Sequence, residues 1–98
     1  MVEKLVRDKI PLILSENRKK FRVRKVSDAE YYSFLVKKLF EEVNEFVESG
    51  SIEELADVFE VLEAIMEFKG WRYEEVRRVK EKKREERGGF REGFVVDF

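Results

Sequence analysis

Apolar residues in the middle of the chain recur every three to four positions, which is the spacing of one helix face. The pattern predicts a long helix over about 28–49 and a second helix over about 52–69. Ser27 and Ser51 precede these helices, each with a glutamate three residues later, which is the arrangement of a capping box. A glycine follows each helix, as is common at helix ends. The sequence therefore predicts two sharply bounded helices joined by a short turn.

The flanking regions carry weaker patterns. Residues 9–19 and 73–87 are predicted to be helical, the first because Pro11 is tolerated in an opening turn and the second because of its composition. Residues 21–26 alternate between apolar and basic side chains, which indicates a short extended segment. A second extended segment is predicted at 94–98, and the two could pair as strands.

These elements predict an all-α fold in a single domain spanning residues 1–98. Helices joined by a short connection pack antiparallel, so the two central helices should form a helical hairpin. One hairpin and a charged third helix offer little core for a chain of this length. We therefore expect a core that resembles a four-helix bundle and is completed by dimerisation, in a homodimer or a higher homo-oligomer.

Composition limits the class of protein. Of 98 residues, 44% are charged and 43% are apolar, which is too apolar for a disordered chain. No run approaches the ~20 apolar residues that span a bilayer, and the charged start does not resemble a signal peptide, so a cytoplasmic protein is expected. Cys, His, Thr and Gln are absent. This excludes thiolate and imidazole chemistry, and the loss of labile side chains indicates a thermophilic source.

The net charge of −1 conceals a strong segregation of charge. Residues 1–40 carry a net charge of +6, residues 41–67 carry −10, residues 68–91 carry +5, and the last seven carry −2. The overall balance argues against a partner such as polymeric nucleic acid, which is bound by bulk positive charge. Two interpretations of the segregation stay open: oppositely charged helices that pair or face water, or a carboxylate site for a cation with basic groups nearby for an anionic substrate.

Four acidic residues lie out of place on the two central helices. Glu42 and Glu45 adjoin the apolar face of the first helix, and Glu54 and Asp57 interrupt the apolar strip of the second. Each pair is spaced i, i+3, so both carboxylates project from one face. Ion pairs with a basic helix would satisfy them, and so would Mg²⁺ or Mn²⁺, which prefer oxygen ligands. The pairing of both motifs on adjacent helices favours a metal site.

Two sets of basic residues are candidates for binding substrate phosphates. The first set shares a face of the C-terminal helix at i, i+3, i+4 and i+7, and consists of Lys80, Lys83, Arg84 and Arg87. The second set flanks the start of the first helix, where an anion could bind, and consists of Arg7 and Lys9. Pairing of the first set with neighbouring glutamates is an equally open alternative.

Four stretches of sequence resemble a known family. EEVNE at 41–45 and EELAD at 53–57 are similar to the acidic signature of the MazG-like all-α nucleoside triphosphate pyrophosphatases. KLVRDKIP at 4–11 and KREERGGF at 83–90 resemble the ends of a small prokaryotic branch that is similar to phosphoribosyl-ATP pyrophosphohydrolases. The resemblance covers nearly the whole chain.

The resemblance implies a hydrolase that cleaves a nucleoside triphosphate between the α and β phosphates. Removal of non-canonical nucleotides is one role that it implies. It implies that Mg²⁺ is bound by Glu42, Glu45, Glu54 and Asp57. Glu41 and Glu42 would be catalytic, Glu41 by activating water, holding a second ion or supporting a ligand. Phosphoribosyl-ATP hydrolysis and a non-catalytic helical dimerisation or binding module are the alternatives.

Overall fold

A computed structural model describes residues 3–18 and 20–98 of the chain. Within that part the fold is all-helical, as predicted. Its helices are α1 (Ile10–Glu16), α2 (Asp28–Ser49), α3 (Ile52–Lys69) and α4 (Tyr73–Arg87). None of these helices combines the length and apolarity that crossing a bilayer requires.

The start of α2 is fixed by the predicted capping box. The Glu30 N–H donates to Ser27 Oγ at 3.2 Å, and the Ser27 N–H donates to the Glu30 carboxylate at 3.1 Å. Gly50 ends the helix with φ of +64°, and Gly70 ends α3 with φ of +75°. Only glycine adopts this left-handed conformation without strain, so both helix ends are set by local sequence.

The weaker predictions at the ends of the chain need correction. Helix α1 ends at Glu16, short of the predicted end at residue 19, which lies outside the described residues. The segments 21–26 and 94–98 form no strand in the described structure, so the strand pairing predicted for them is wrong. Val23 and Val95 are 63% and 94% exposed, so neither side chain is packed in the core as it would be in a strand of a sheet with a buried face.

Helix α3 folds back along α2 and forms the only extensive helix interface among the described elements. Leu35 of α2, 1% exposed, packs in a core with Val58 and Val61 of α3. At one end of the hairpin, Phe68 near the end of α3 stacks on Tyr32 near the start of α2, with centroids 5.3 Å apart. The antiparallel hairpin is thus confirmed. Among the described residues, only these two helices pack extensively against each other, so the expected four-helix arrangement would require a second copy.

The contacts of Glu30 in this capping box predict how the stability of the fold depends on pH. Hydrogen bonds from Arg24 and from the Ser27 backbone lower the pKa of Glu30 to about 2. The charged carboxylate is therefore favoured in the folded state, and its stabilisation is complete above the unfolded pKa near 4.5 and disappears as the pH falls towards 2. We expect thermal melting of the wild type to lose more stability over this range than melting of Glu30→Gln. Identical pH dependence in both proteins would contradict this.

Candidate metal centre

The acidic pairs meet where the C-terminal half of α2 lies beside the N-terminal half of α3. Glu42 follows Leu35 by seven residues, or two helical turns, so it shares the face of α2 that packs against α3. It is only 6% exposed, the one buried charged residue in the described structure. Glu54 and Asp57 are half-buried on the first turns of α3. Glu42 therefore lies within the packed face of the hairpin, and Glu54 and Asp57 lie partly buried close to it.

The carboxylates form two overlapping groups. Glu42, Glu54 and Asp57 each provide an oxygen within 4.8 Å of the others, and Glu41, Glu42 and Glu45 do the same. Oxygens bound to a hard divalent cation lie about 2.0 to 2.6 Å from it, so oxygens across one ion are about 4 to 5 Å apart. Each group therefore has the spacing of a cation site. The structure places Glu45 with Glu41 and Glu42 rather than with the two acids of α3.

Two carboxylate oxygens in the first group are buried without any hydrogen-bond partner. They are Glu42 Oε2 and Glu54 Oε2. A buried polar atom left unpaired costs about 1–3 kcal/mol, and two carboxylates side by side repel each other as well. No hydrogen bond within the described structure therefore compensates for the burial of these two oxygens. A bound cation would satisfy both, so the donor set fits a divalent metal ion.

Glu54 forms only part of the capping box predicted at the start of α3. Ser51 Oγ accepts from the Glu54 N–H at 3.2 Å, which is the first half of a capping box. The Glu54 side chain does not return to the Ser51 N–H, which instead donates to Ser49 Oγ at 3.2 Å. The Glu54 carboxylate therefore does not complete the capping box. The prediction for this helix is confirmed for the Ser51 side chain and wrong for the Glu54 side chain.

Basic side chains surround the same carboxylates. Lys4 Nζ lies 2.9 Å from Glu41, and Lys38 Nζ lies 3.0 Å from Glu42 and 3.5 Å from Glu41. Arg7 forms an ion pair with Asp57 at 2.5 Å. These contacts offset part of the negative charge on the hairpin. They come from α2 itself and from the N-terminal segment, not from the basic helix α4.

The ion pair between Lys4 and Glu41 shifts both groups. The hydrogen bond and positive charge of Lys4 hold the pKa of Glu41 below its usual value, and Lys38 adds to this effect. The Glu41 carboxylate in turn raises the pKa of Lys4. Glu41 therefore stays ionised at neutral pH, and each of its carboxylate oxygens contacts a lysine ammonium group.

Sequence reasoning missed the two lysines at this site. Lys38 is only 15% exposed at its side chain and lies one turn before Glu41 and Glu42, so its i, i+3 and i, i+4 spacing could have revealed it. Lys4 lies 37 residues from Glu41, and no local pattern connects them.

The predicted phosphate-binding residues lie in different parts of the structure. Arg7 is at the site, where it contacts Asp57 and lies 3.8 Å from Glu60. Lys9 is exposed at the start of α1. The four basic residues of α4 are exposed on a helix that does not pack along the hairpin, and the structure does not bring them to the carboxylates. They are Lys80, Lys83, Arg84 and Arg87.

Comparison of the chain with family models, with curated proteins and with solved structures finds no match in any of the three.

Proposed function

We propose that the protein is a Mg²⁺-dependent nucleoside triphosphate pyrophosphohydrolase that releases a nucleoside monophosphate and pyrophosphate. The observation that carries this proposal is the pair of buried, unpartnered oxygens of Glu42 and Glu54 beside Asp57. The motifs at 41–45, 53–57 and the chain ends, which resemble the MazG-like superfamily, support the choice of substrate. Because nucleoside triphosphates are intracellular metabolites, the proposed activity would suit a cytoplasmic protein.

The side chains at the site would have different roles, set by their positions. Glu42, Glu54 and Asp57 would hold Mg²⁺ or its substitute Mn²⁺, and Glu45 would act with Glu41 in the neighbouring group. The bound ion supplies charge stabilisation for phosphates and positions a water. Glu41, which is ionised and accepts a hydrogen bond from Lys4, would accept a proton from the attacking water at a carboxylate oxygen.

The cations at the site have a second use during turnover. Lys4 and Arg7 are each about half exposed, so their head groups are accessible to a ligand. With the carboxylates neutralised by a cation, Lys4 and Arg7 would be free to contact phosphate oxygens and to offset the charge on the leaving pyrophosphate. Basic residues paired with carboxylates in the free protein are thereby available to the substrate.

The direct test is a panel of nucleoside triphosphates and phosphoribosyl-ATP, incubated with the protein and Mg²⁺. Monophosphate and pyrophosphate are separated by ion-exchange chromatography. Cleavage of several triphosphates supports the proposal, and cleavage of phosphoribosyl-ATP alone selects the narrower alternative. Absence of turnover together with absence of stabilisation by metal would leave a non-catalytic helical module.

We further propose that the working unit is a homodimer. Helix α2 exposes Phe40 and Val47 on one face at 66% and 74%, and α3 exposes Ile52 and Phe59 at 76% and 58%. Each pair is seven residues apart, so each helix carries an apolar stripe that its own chain leaves uncovered. Burial of these stripes against a second hairpin would complete the four-helix core.

Light scattering after size exclusion should therefore give twice the chain mass of 11.8 kDa. Phe59→Glu should shift the protein to the monomer, since a charge in an apolar interface is costly. Phe90→Glu, which alters a fully exposed residue outside both stripes, is the control and should stay dimeric. A wild-type monomer at micromolar concentration would overturn the dimer.

A further inference from the structure

A cavity of about 840 Å³ lies beside the carboxylate site. Its walls are the N-terminal segment 3–8, the start of α1 and the segment 21–26, and its floor is the first two turns of α2, including Tyr31 and Phe34. The size is within the range of about 300–1,000 Å³ of small-molecule sites. We refer to it as the N-terminal groove.

The groove and the carboxylate site share two residues. Lys4 and Arg7 line the groove, and their head groups contact Glu41 and Asp57. Lys4 and Arg7 therefore form a common border between the groove and the carboxylates. A ligand with a polyphosphate at one end could place its phosphates among Lys4, Arg7 and the carboxylates while the rest of it stays in the groove.

The lining suits a nucleoside attached to phosphates. Arg22 and Lys25 add positive charge along one wall, and Asp28 provides a carboxylate that can accept hydrogen bonds from sugar hydroxyls. Phe21, 41% exposed, presents an aromatic surface. The other aromatic rings are engaged, since Arg24 lies 5.7 Å from the centre of the Phe34 ring and Tyr31 packs edge-on against Phe68.

We propose that the N-terminal groove binds the nucleoside part of the substrate, with the base stacked on Phe21 and the phosphates directed past Lys4 and Arg7 to the carboxylate site. The assignment rests on the proposed function, because that function supplies the nucleotide. It gives the segment 21–26 a role in recognition although the segment forms no strand. The described lining of the groove contains no amide side chain that could read a base edge, and stacking needs no base-specific hydrogen bonds.

The test compares two ligands on the full-length protein with Mg²⁺ by calorimetry. One is a set of α,β-methylene nucleoside triphosphates, which cannot be cleaved between those phosphates, and the other is inorganic tripolyphosphate. Phe21→Ala should weaken binding of the methylene nucleotides about tenfold, which is the scale of one lost base stack. It should leave the affinity for tripolyphosphate unchanged. Because Phe21 is exposed, the variant should fold, and circular dichroism checks this.

Phe90→Ala is the matched control, since Phe90 is an exposed ring outside the groove. It should bind both ligands as the wild type does. In the wild type, backbone amide shifts at Phe21 and Val23 should respond to the methylene nucleotides but not to tripolyphosphate. Equal nucleotide affinity for Phe21→Ala and wild type, a loss in Phe90→Ala instead, or no nucleotide binding at all would overturn the groove assignment.

The outcome is separable from that of the proposed reaction. If triphosphates are hydrolysed but Phe21→Ala keeps the wild-type KM and nucleotide affinity, the reaction stands and the groove assignment is wrong. If no triphosphate is hydrolysed but Phe21→Ala loses nucleotide affinity selectively, the groove is a nucleotide site and the reaction is wrong.

Discussion

Replacement of Glu42 by glutamine is expected to stabilise the metal-free protein and to abolish its stabilisation by Mg²⁺. In the wild type, Glu42 Oε2 is buried without a partner beside the equally unpartnered Glu54 Oε2. An uncharged amide removes the repulsion, can donate towards Glu54, and keeps an oxygen for Lys38, now 3.0 Å away. We expect a gain of about 1 kcal/mol in the free energy of unfolding without metal.

The same variant should lose its response to metal. A ligand at one hundred times its Kd stabilises a protein by about 2.7 kcal/mol, and Glu42→Gln should lose most of that shift. Turnover should fall by at least about a hundredfold, because the residue belongs to both carboxylate groups. Thermal melts with and without Mg²⁺ measure the first effect, and product analysis measures the second.

Glu48→Gln provides the matched control, since Glu48 lies on the same helix but is exposed. It should melt, bind metal and turn over substrate as the wild type does. Retention of the full Mg²⁺ shift in Glu42→Gln, or a marked loss of its stability without metal, would show that Glu42 is a structural ion-pair partner of Lys38 instead.

Truncation of Leu35 should have the largest effect on stability. Leu35 is 1% exposed and is the one side chain in the described structure that is almost completely buried. Leu35→Ala should lower the free energy of unfolding by about 3 kcal/mol, because it removes transfer energy and leaves a cavity. Val58 and Val61 are the other buried apolar residues of the described structure, so the core is small and a large unfolded fraction is expected.

Urea titration followed by circular dichroism measures this loss. Leu12→Ala makes the same change on α1 at a side chain that is 61% exposed, and it should alter stability by less than about 0.5 kcal/mol. Because Leu35 and Glu42 share a face, the folded fraction of Leu35→Ala should also bind Mg²⁺ more weakly. Similar unfolding curves for both leucine variants would contradict the position of the core.

The limits of sequence reasoning differ between elements. Helices α2, α3 and α4 were predicted to within a residue, because Ser27, Gly50 and Gly70 act through neighbouring backbone groups. The strand pairing of 21–26 with 94–98 was wrong, because alternation of side chains specifies a strand only where a sheet supplies hydrogen bonds and a buried face. Local patterns are reliable where the stabilising contacts are themselves local.

The candidate site shows the same division. Helical periodicity placed Glu42, Glu54 and Asp57 on apolar faces, and the short turn brought the helices together. Periodicity did not separate Glu45 from the acids of α3, because the grouping depends on the register at which the two helices pack. A shift of one residue rotates a side chain by about 100°, and the sequence alone does not state that register.

The sequence by itself determined the helical hairpin, its bounds and the acidic faces that meet within it, since each depends on residues within a few positions of one another. Only the tertiary structure decided which cations reach those acids. Arg7 meets Asp57 across 50 residues, while the periodic basic face of α4 stays apart from the carboxylates. Charge segregation predicts attraction, but long-range Coulomb forces are screened and non-directional, so chain geometry selects the partner.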